Sequence, residues 1–308
     1  MQKTGLVSTV TLFLTAAFSM MSAMDALAAL PKKTFVLVHG AFADQSVWDG
    51  PNPGQGVAEQ LRQRGYRVVT VTLPGMGRDY GQTEADVNYN SASIDLNAHV
   101  NHVADVLKMD NVTDAIMVCH SYAGMVCAGV QDRDDVKDRI DKMVFFDAVV
   151  PESGQSFFDA VGMPSPDVFP SLEVFYQTLG IVPEENLSCF PNKKAQDFNL
   201  FGADADWLDA RHHCQPVHTL DQKLNFSWNN DVRKYFVHAE DNNNPTWFAY
   251  YPFSAFPGRA AAMGWNLYSI PNSHYTFISH PDDTVQLLML IDSIPYENWP
   301  FSMDVTQL

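Results

Sequence analysis

The sequence predicts an α/β protein built on a mainly parallel sheet, and three observations carry that prediction. Short apolar runs rich in Val, Ile and Phe alternate with helix-length amphipathic stretches. Most of these runs end at a glycine, proline or small polar residue, as buried parallel strands do where they meet loops. One run, Ala115-Ile116-Met117-Val118, leads through a tight turn bearing Ser121 into a small-residue helix, Met125-Val126-Cys127-Ala128-Gly129-Val130. At 308 residues the chain can bury the core of one large domain with an insertion.

The elements follow in order. Lys3, an apolar stretch from Leu6 to Met24 and the small-x-small pattern Ala26-Leu27-Ala28 predict a signal peptide over 1–28 and an exported, periplasmic or secreted chain. An uncleaved apolar anchor is the competing reading, because the stretch is nearly long enough to span a bilayer. Lys33 to Val38 reads as a buried strand ending at His39-Gly40-Ala41-Phe42, and 55–65 as a helix stopped by Gly65. Tyr66 to Leu73 is a second strand, closed by Pro74-Gly75-Met76-Gly77. Ser91 to Leu107 carries an apolar stripe (Ile94, Leu96, Val100, Val103, Val106, Leu107) with Ser91 or Ser93 as its cap. After the serine turn and its helix, Lys142 to Phe146 is the next strand, reaching Asp147.

From Glu152 to Val232 the alternation breaks into a stretch rich in Phe, Pro and Asp, read as a cap inserted over the sheet's carboxyl edge. Strands resume at Arg233–His238, ending near Glu240-Asp241, and at Trp265–Ile270, ending at Pro271, with an aromatic segment from Pro245 to Phe256 between them. Pro281 opens a last helix. The predicted organisation is therefore a core over 29–151, a cap over 152–232, and a return to the core over 233–308.

A net charge of −17 survives removal of 1–28, which takes one charge of each sign. So acidic a surface excludes nucleic acid and anionic membranes as natural partners. It suits a soluble protein acting on a neutral or apolar small molecule; a homodimer stays open. Of four cysteines, Cys119 and Cys127 are expected as buried free thiols. Cys189 and Cys214, in a polar irregular region, are expected to pair in an oxidising compartment. That closure is worth about 3 kcal/mol in the chain-entropy model.

Ser121, Asp241 and His274 stand at strand ends in the order Ser, Asp, His, the chemistry of an activated hydroxyl: a base takes the serine proton and a carboxylate orients the base. Glu240 and Asp147 are rivals for the acid. The amide of Tyr122 and that of Ala41, with Phe42 as the near alternative, are the expected oxyanion donors. Phe42 and Trp247 are the expected substrate contacts. His120 is read as a buried support, because the side chain before a nucleophile in a tight turn points away from it. His280 is read as a capping or packing residue. His212, His213, His218 and Cys214 lack a clean ligand spacing, so no metal is expected and the His212-His213 pair is read as a solvated cap loop.

As a set, Phe35 to Trp48, Leu73-Pro74-Gly75-Met76-Gly77, His120-Ser121-Tyr122-Ala123-Gly124, Asp241 with Pro245, and His274 to Pro281 resemble the α/β-hydrolase family. The nearest branch is the small esterases that include plant methylesterases and hydroxynitrile lyases. The resemblance implies the α/β-hydrolase fold, a triad of Ser121, His274 and Asp241, ester hydrolysis through an acyl-enzyme, and no cofactor. The sequence departs from the G-x-S-x-G elbow at Cys119 and Ala123. Tyr275 stands where lyases of this branch carry a lysine. A lactonase, amidase or cofactor-free lyase would use the same triad, and a non-catalytic ligand-binding module is the reading from another class.

Overall fold

In a computed structural model, residues 32–77, 91–182, 187–241 and 255–295 are described. The predicted signal peptide and Trp247 lie outside them. Six parallel strands form the central sheet: β1 (Thr34–Val38), β2 (Arg67–Val71), β3 (Ala115–His120), β4 (Ile140–Phe146), β7 (Arg233–Ala239) and β8 (Asn266–Ile270). The spatial order is β2-β1-β3-β4-β7-β8. A second, antiparallel ribbon pairs β5 (Cys189–Phe190) with β6 (Gln215–Pro216). All of β1 and β3 is buried, whereas β8 alternates buried and half-buried residues and β2 is largely half-buried, as the two edges of such a sheet should be. The mainly parallel sheet with flanking helices is the predicted α/β-hydrolase architecture.

The helices are α1 (Val57–Gln63), α2 (Leu96–Met109), α3 (Ala123–Asp132), α4 (Phe157–Ala160), α5 (Leu172–Thr178), α6 (Gly202–Asp209), α7 (His218–Asp221), α8 (Ala255–Ala262), α9 (Thr276–Ser279) and α10 (Pro281–Ser293). The long helix after β2 starts later than its serines suggest. Ser91–Ser93 form a separate 3₁₀ turn, and Asp95 caps α2, its Oδ1 accepting from the Ala98 amide at 2.8 Å. At the far end of the core, buried Lys142 on β4 donates to the carbonyls of Ile291, Asp292 and Ile294, at 2.8, 2.6 and 3.3 Å. A cation thus satisfies the orphan carbonyls where α10 ends.

Between β4 and β7 the chain leaves the sheet and forms short helices and the β5–β6 ribbon. Phe157, Phe158, Phe175, Tyr176 and Phe190 are all buried there and touch one another ring to ring. These aromatics make a core for the inserted segment itself, and they carry no independent information about a substrate. Two disulfides are present. Cys189–Cys214 closes the ribbon as expected, and Cys119 is bonded to Cys127, which corrects the expectation of free thiols there. The physical reason is the turn between them: it folds α3 back on β3 and brings the two Cα atoms to 6.4 Å, within disulfide reach. Among the described residues no helix is long and apolar enough to cross a membrane.

The turn also fixes where glycine is indispensable. Position 123 accepts alanine, but a Cβ added at Gly124 would lie 1.9 Å from the carbonyl oxygen of Val149, backbone that cannot swing aside. Gly124→Ala is therefore expected to destabilise the protein by roughly 3 kcal/mol, with a melting temperature lower by about 6–12 °C in thermal unfolding. A variant melting within a degree of the parent would contradict this packing.

Candidate active site

The strand registers put the candidate residues on one edge. Val38 on β1 is level with Cys119 on β3, His120 with Phe146 on β4, Phe146 with Val237 on β7, and Ala239 with Ile270 on β8. The residues that follow each strand therefore leave the sheet together at its carboxyl end, where open α/β sheets gather their chemistry.

Ser121 has φ of 55°, a left-handed conformation that a non-glycine residue keeps only when its surroundings hold it. Here backbone bonds do so. Its amide donates to Phe146 O at 3.3 Å, and its carbonyl accepts from the amides of Gly124 and Val149 at 3.1 and 3.0 Å. Gly40 stands against it, close enough that a Cβ there would lie 2.7 Å from the Ser121 Cβ.

His274 Nδ1 donates to Asp147 Oδ2 at 2.6 Å, with both side chains buried. That hydrogen bond sets the tautomer and leaves Nε2 as the basic nitrogen. The imidazole is packed between the stacked ring of Phe198, at 5.3 Å, and the ring of His120, at 4.4 Å. His120 Nε2 donates to the His274 carbonyl at 3.0 Å, so the residue before the serine braces the backbone of His274. Burial, and next His274, push His120 well below its ordinary pKa and keep it neutral.

The carboxylate paired with His274 is Asp147, and the expected Asp241 is not brought to it. The β4–β7 register makes Asp147 level with His238, so Asp241 comes three residues further along and beyond the sheet. Asp241 is exposed, its amide donating to Asn272 O at 3.1 Å and its carbonyl accepting from Asn199 Nδ2. Glu240 is exposed too. Asp147 instead lies between β4 and β7, its amide donating to Val237 O at 2.7 Å and its Oδ1 accepting from the Ala239 amide at 3.3 Å. His238, which the sequence gave no reason to single out, has its Nδ1 3.5 Å from Asp147 Oδ1. Burial alone would raise the Asp147 carboxyl, but His238 and His274 outweigh it and hold the pKa at about 2. The same contact, against a smaller opposing effect of burial, raises His238.

The loop after β1 is held by His39. Its Nε2 accepts from the Leu73 amide at 3.0 Å and its Nδ1 donates to Gly40 O at 2.7 Å, a pairing that requires the neutral ring; burial lowers its pKa to about 4. Because the peptide is planar and trans, pinning the Gly40 carbonyl also fixes the direction of the Ala41 N–H. The Phe42 amide, the alternative oxyanion donor, is already directed at Gln215 Oε1, at 3.2 Å. Tyr122, at the start of α3, donates its hydroxyl to His99 Nδ1 at 3.0 Å, while His99 Nε2 donates to Pro74 O at 2.9 Å.

His212 is not in a solvated loop. It is buried, its Nδ1 donates to Lys193 O at 2.7 Å, and its Nε2 faces the Tyr275 hydroxyl at 3.4 Å. His213 does keep partial exposure, beside Asp44. His280 sits at the N-cap of α10 without a side-chain cap bond. Gln215, Phe198 and His238 escaped sequence reasoning because each acts across more than 70 residues of chain, and no local motif marks them.

The pH sign follows from Asp147. Its carboxylate holds a proton less tightly folded than unfolded, so its stabilising contribution is complete above the ordinary carboxylate range and is lost as pH falls from about 4 towards 2. Melting temperature should therefore fall more steeply between those pH values in the parent than in Asp147→Asn. Parallel curves would show that the folded protein leaves this pKa where it was.

Comparison with known proteins adds a separate finding. The family model described as the alpha/beta hydrolase family matches residues 35–287. The chain is 28% identical over 259 residues to a carbendazim hydrolyzing esterase of Nocardioides sp. (strain SG-4G), covering 82% of this chain and 97% of that protein. Among solved structures it is similar to an extracellular alpha/beta-hydrolase from a Paenibacillus species, described as sharing structural and functional homology with tobacco salicylic acid binding protein 2. That match has a TM-score of 0.60 and 24% identity, over 84% of this chain and 98% of the other. A pyrethroid hydrolase matches with a TM-score of 0.59 and 16% identity, over 86% and 99%.

Proposed function

The chain belongs to the alpha/beta hydrolase family, and from that premise we propose that it is an exported serine hydrolase that cleaves a carboxylic ester of a small, apolar or aromatic substrate. The observation that carries the reading is the buried His274–Asp147 hydrogen bond at 2.6 Å, on the same sheet edge as a serine in a left-handed turn. Ser121 Oγ attacks the ester carbonyl while His274 Nε2 takes its proton. The resulting imidazolium is stabilised by the Asp147 carboxylate, which stays ionised because its pKa lies near 2. The amides of Ala41 and Tyr122 receive the developing oxyanion. His274 then gives the proton to the leaving alcohol, and a water activated by the same base releases the acid from the acyl-enzyme.

The ester reading is supported by a relative that is itself a carbendazim hydrolyzing esterase. A small uncharged substrate agrees with the acidic surface, since a net charge of −17 repels anions at long range. Phe42, buried beside Phe190 and His212, is the aromatic residue that would meet the acyl group. Export is supported by the amino-terminal charge and apolar pattern and by two disulfides, bonds that persist in oxidising compartments.

Three substitutions test the mechanism with p-nitrophenyl esters. Ser121→Ala should lower kcat at least about 10³-fold and abolish fluorophosphonate labelling, and Asp147→Asn should lower it by about 10³–10⁴-fold. Asp241→Asn should stay within about threefold of the parent. If Asp241→Asn is the inactive one and Asp147→Asn the active one, the acid has been assigned to the wrong strand end.

A further inference from the structure

Two buried polar side chains of the inserted segment, Gln215 and Thr219, stand behind the Phe42 side of the candidate oxyanion pocket, and the mechanism above gives them no part. Gln215 Oε1 accepts the Phe42 N–H at 3.2 Å, and the neighbouring His213 amide donates to the Phe42 carbonyl at 2.7 Å. Both polar groups of the Phe42 backbone are therefore held from the ribbon that Cys189–Cys214 closes. Phe42 needs holding. Its φ of 66° is left-handed, a conformation that a bulky aromatic residue adopts only when its neighbours impose it. Gln215 cannot rotate its amide freely, because Nε2 donates to Thr219 Oγ1 at 2.6 Å. Thr219 is itself fixed, its Oγ1 donating to the Pro216 carbonyl at 2.6 Å. Gln215 and Thr219 are fully buried.

We infer that Gln215 is a positioning residue for the reaction: oriented by Thr219, it fixes the Phe42 peptide and so leaves the adjacent Ala41 N–H as the donor aimed at the developing oxyanion. The chemistry is one of competition. Two successive amides could serve a carbonyl oxygen in this loop, and a side-chain acceptor that occupies the second settles which one is available. The inference rests on the ester-hydrolase reading for the role of Ala41.

Its test uses the full-length protein with Gln215→Met, which keeps length and removes the acceptor, and Thr219→Val, which removes only the hydroxyl that orients the amide. Turnover of a p-nitrophenyl ester is measured beside hydrogen–deuterium exchange of the 40–44 segment. Gln215→Met should lower kcat about tenfold with KM within about twofold, because a misaimed donor is felt in the transition state rather than in ground-state binding. Thr219→Val should act in the same direction by about threefold. Exchange at 40–44 should be faster in both. The inference is overturned if the folded variants keep kcat within twofold of the parent, if the loss lies in KM, or if exchange is unchanged. Should Gln215→Met fail to fold, Thr219→Val decides by the same criteria. Turnover that survives Ser121→Ala would overturn the serine-nucleophile mechanism instead, and the clamp would then be judged on exchange alone.

Discussion

The left-handed backbone of Ser121 is the constraint on which the candidate site depends. A chain that leaves β3 and enters α3 within two residues must reverse direction sharply, and that reversal is what lifts the hydroxyl clear of the sheet. The conformation is unfavourable by itself, so its surroundings have to over-determine it. Bonds to Phe146, Gly124 and Val149 do this through the backbone, and the absence of side chains at Gly40 and Gly124 lets neighbouring chain come close. The disulfide between Cys119 and Cys127 ties strand to helix across the same turn. Glycine at position 119 would allow the close crossing; here a covalent link stands in that place.

Around this turn, three histidines serve as rigid spacers rather than as bases. His39, His99 and His120 are buried, and burial lowers the pKa of each, to about 4 for His39 and about 3 for His99, so all three stay neutral near pH 7. A neutral imidazole offers one donor and one acceptor at opposite ends of a flat ring. His39 uses both to join the β1 loop to the β2 loop, and His99 to join Tyr122 to Pro74. His120 links the nucleophile turn to the backbone of His274. His274 differs from them in having a buried carboxylate on its Nδ1, which is what a base needs if its cationic form is to be stabilised.

Much of this was legible in the sequence, because strand and elbow signals are local. The apolar runs at 34–38, 115–120 and 140–146 and the small residues about Ser121 specify parallel strands and a tight turn without reference to the rest of the chain. His274 was legible for the same reason, standing between a strand and a helix. The acid was not. Both Asp147 and Asp241 follow strands, and the choice between them depends on the register of β4 against β7, which no local pattern records. The Cys119–Cys127 bond was missed although the residues are only eight apart, because free thiols suit a buried strand end equally well. Gln215 could not be found, since its partner lies 173 residues away.

The position of the carboxylate that pairs with His274 also has an energetic consequence. A carboxylate at Asp241 would face solvent, where water screens its attraction for an imidazolium to roughly 1 kcal/mol at contact distance. Asp147 is fully buried, so the same attraction acts through a much lower effective dielectric. The cost of that burial is met by the Ala239 amide and by the two histidines, which together keep the carboxyl ionised. A fixed, desolvated negative charge does not have to reorganise when charge develops beside it, as an exposed side chain would have to do. Taking the carboxylate from the end of β4 rather than from beyond β7 thus moves the partner of His274 out of water.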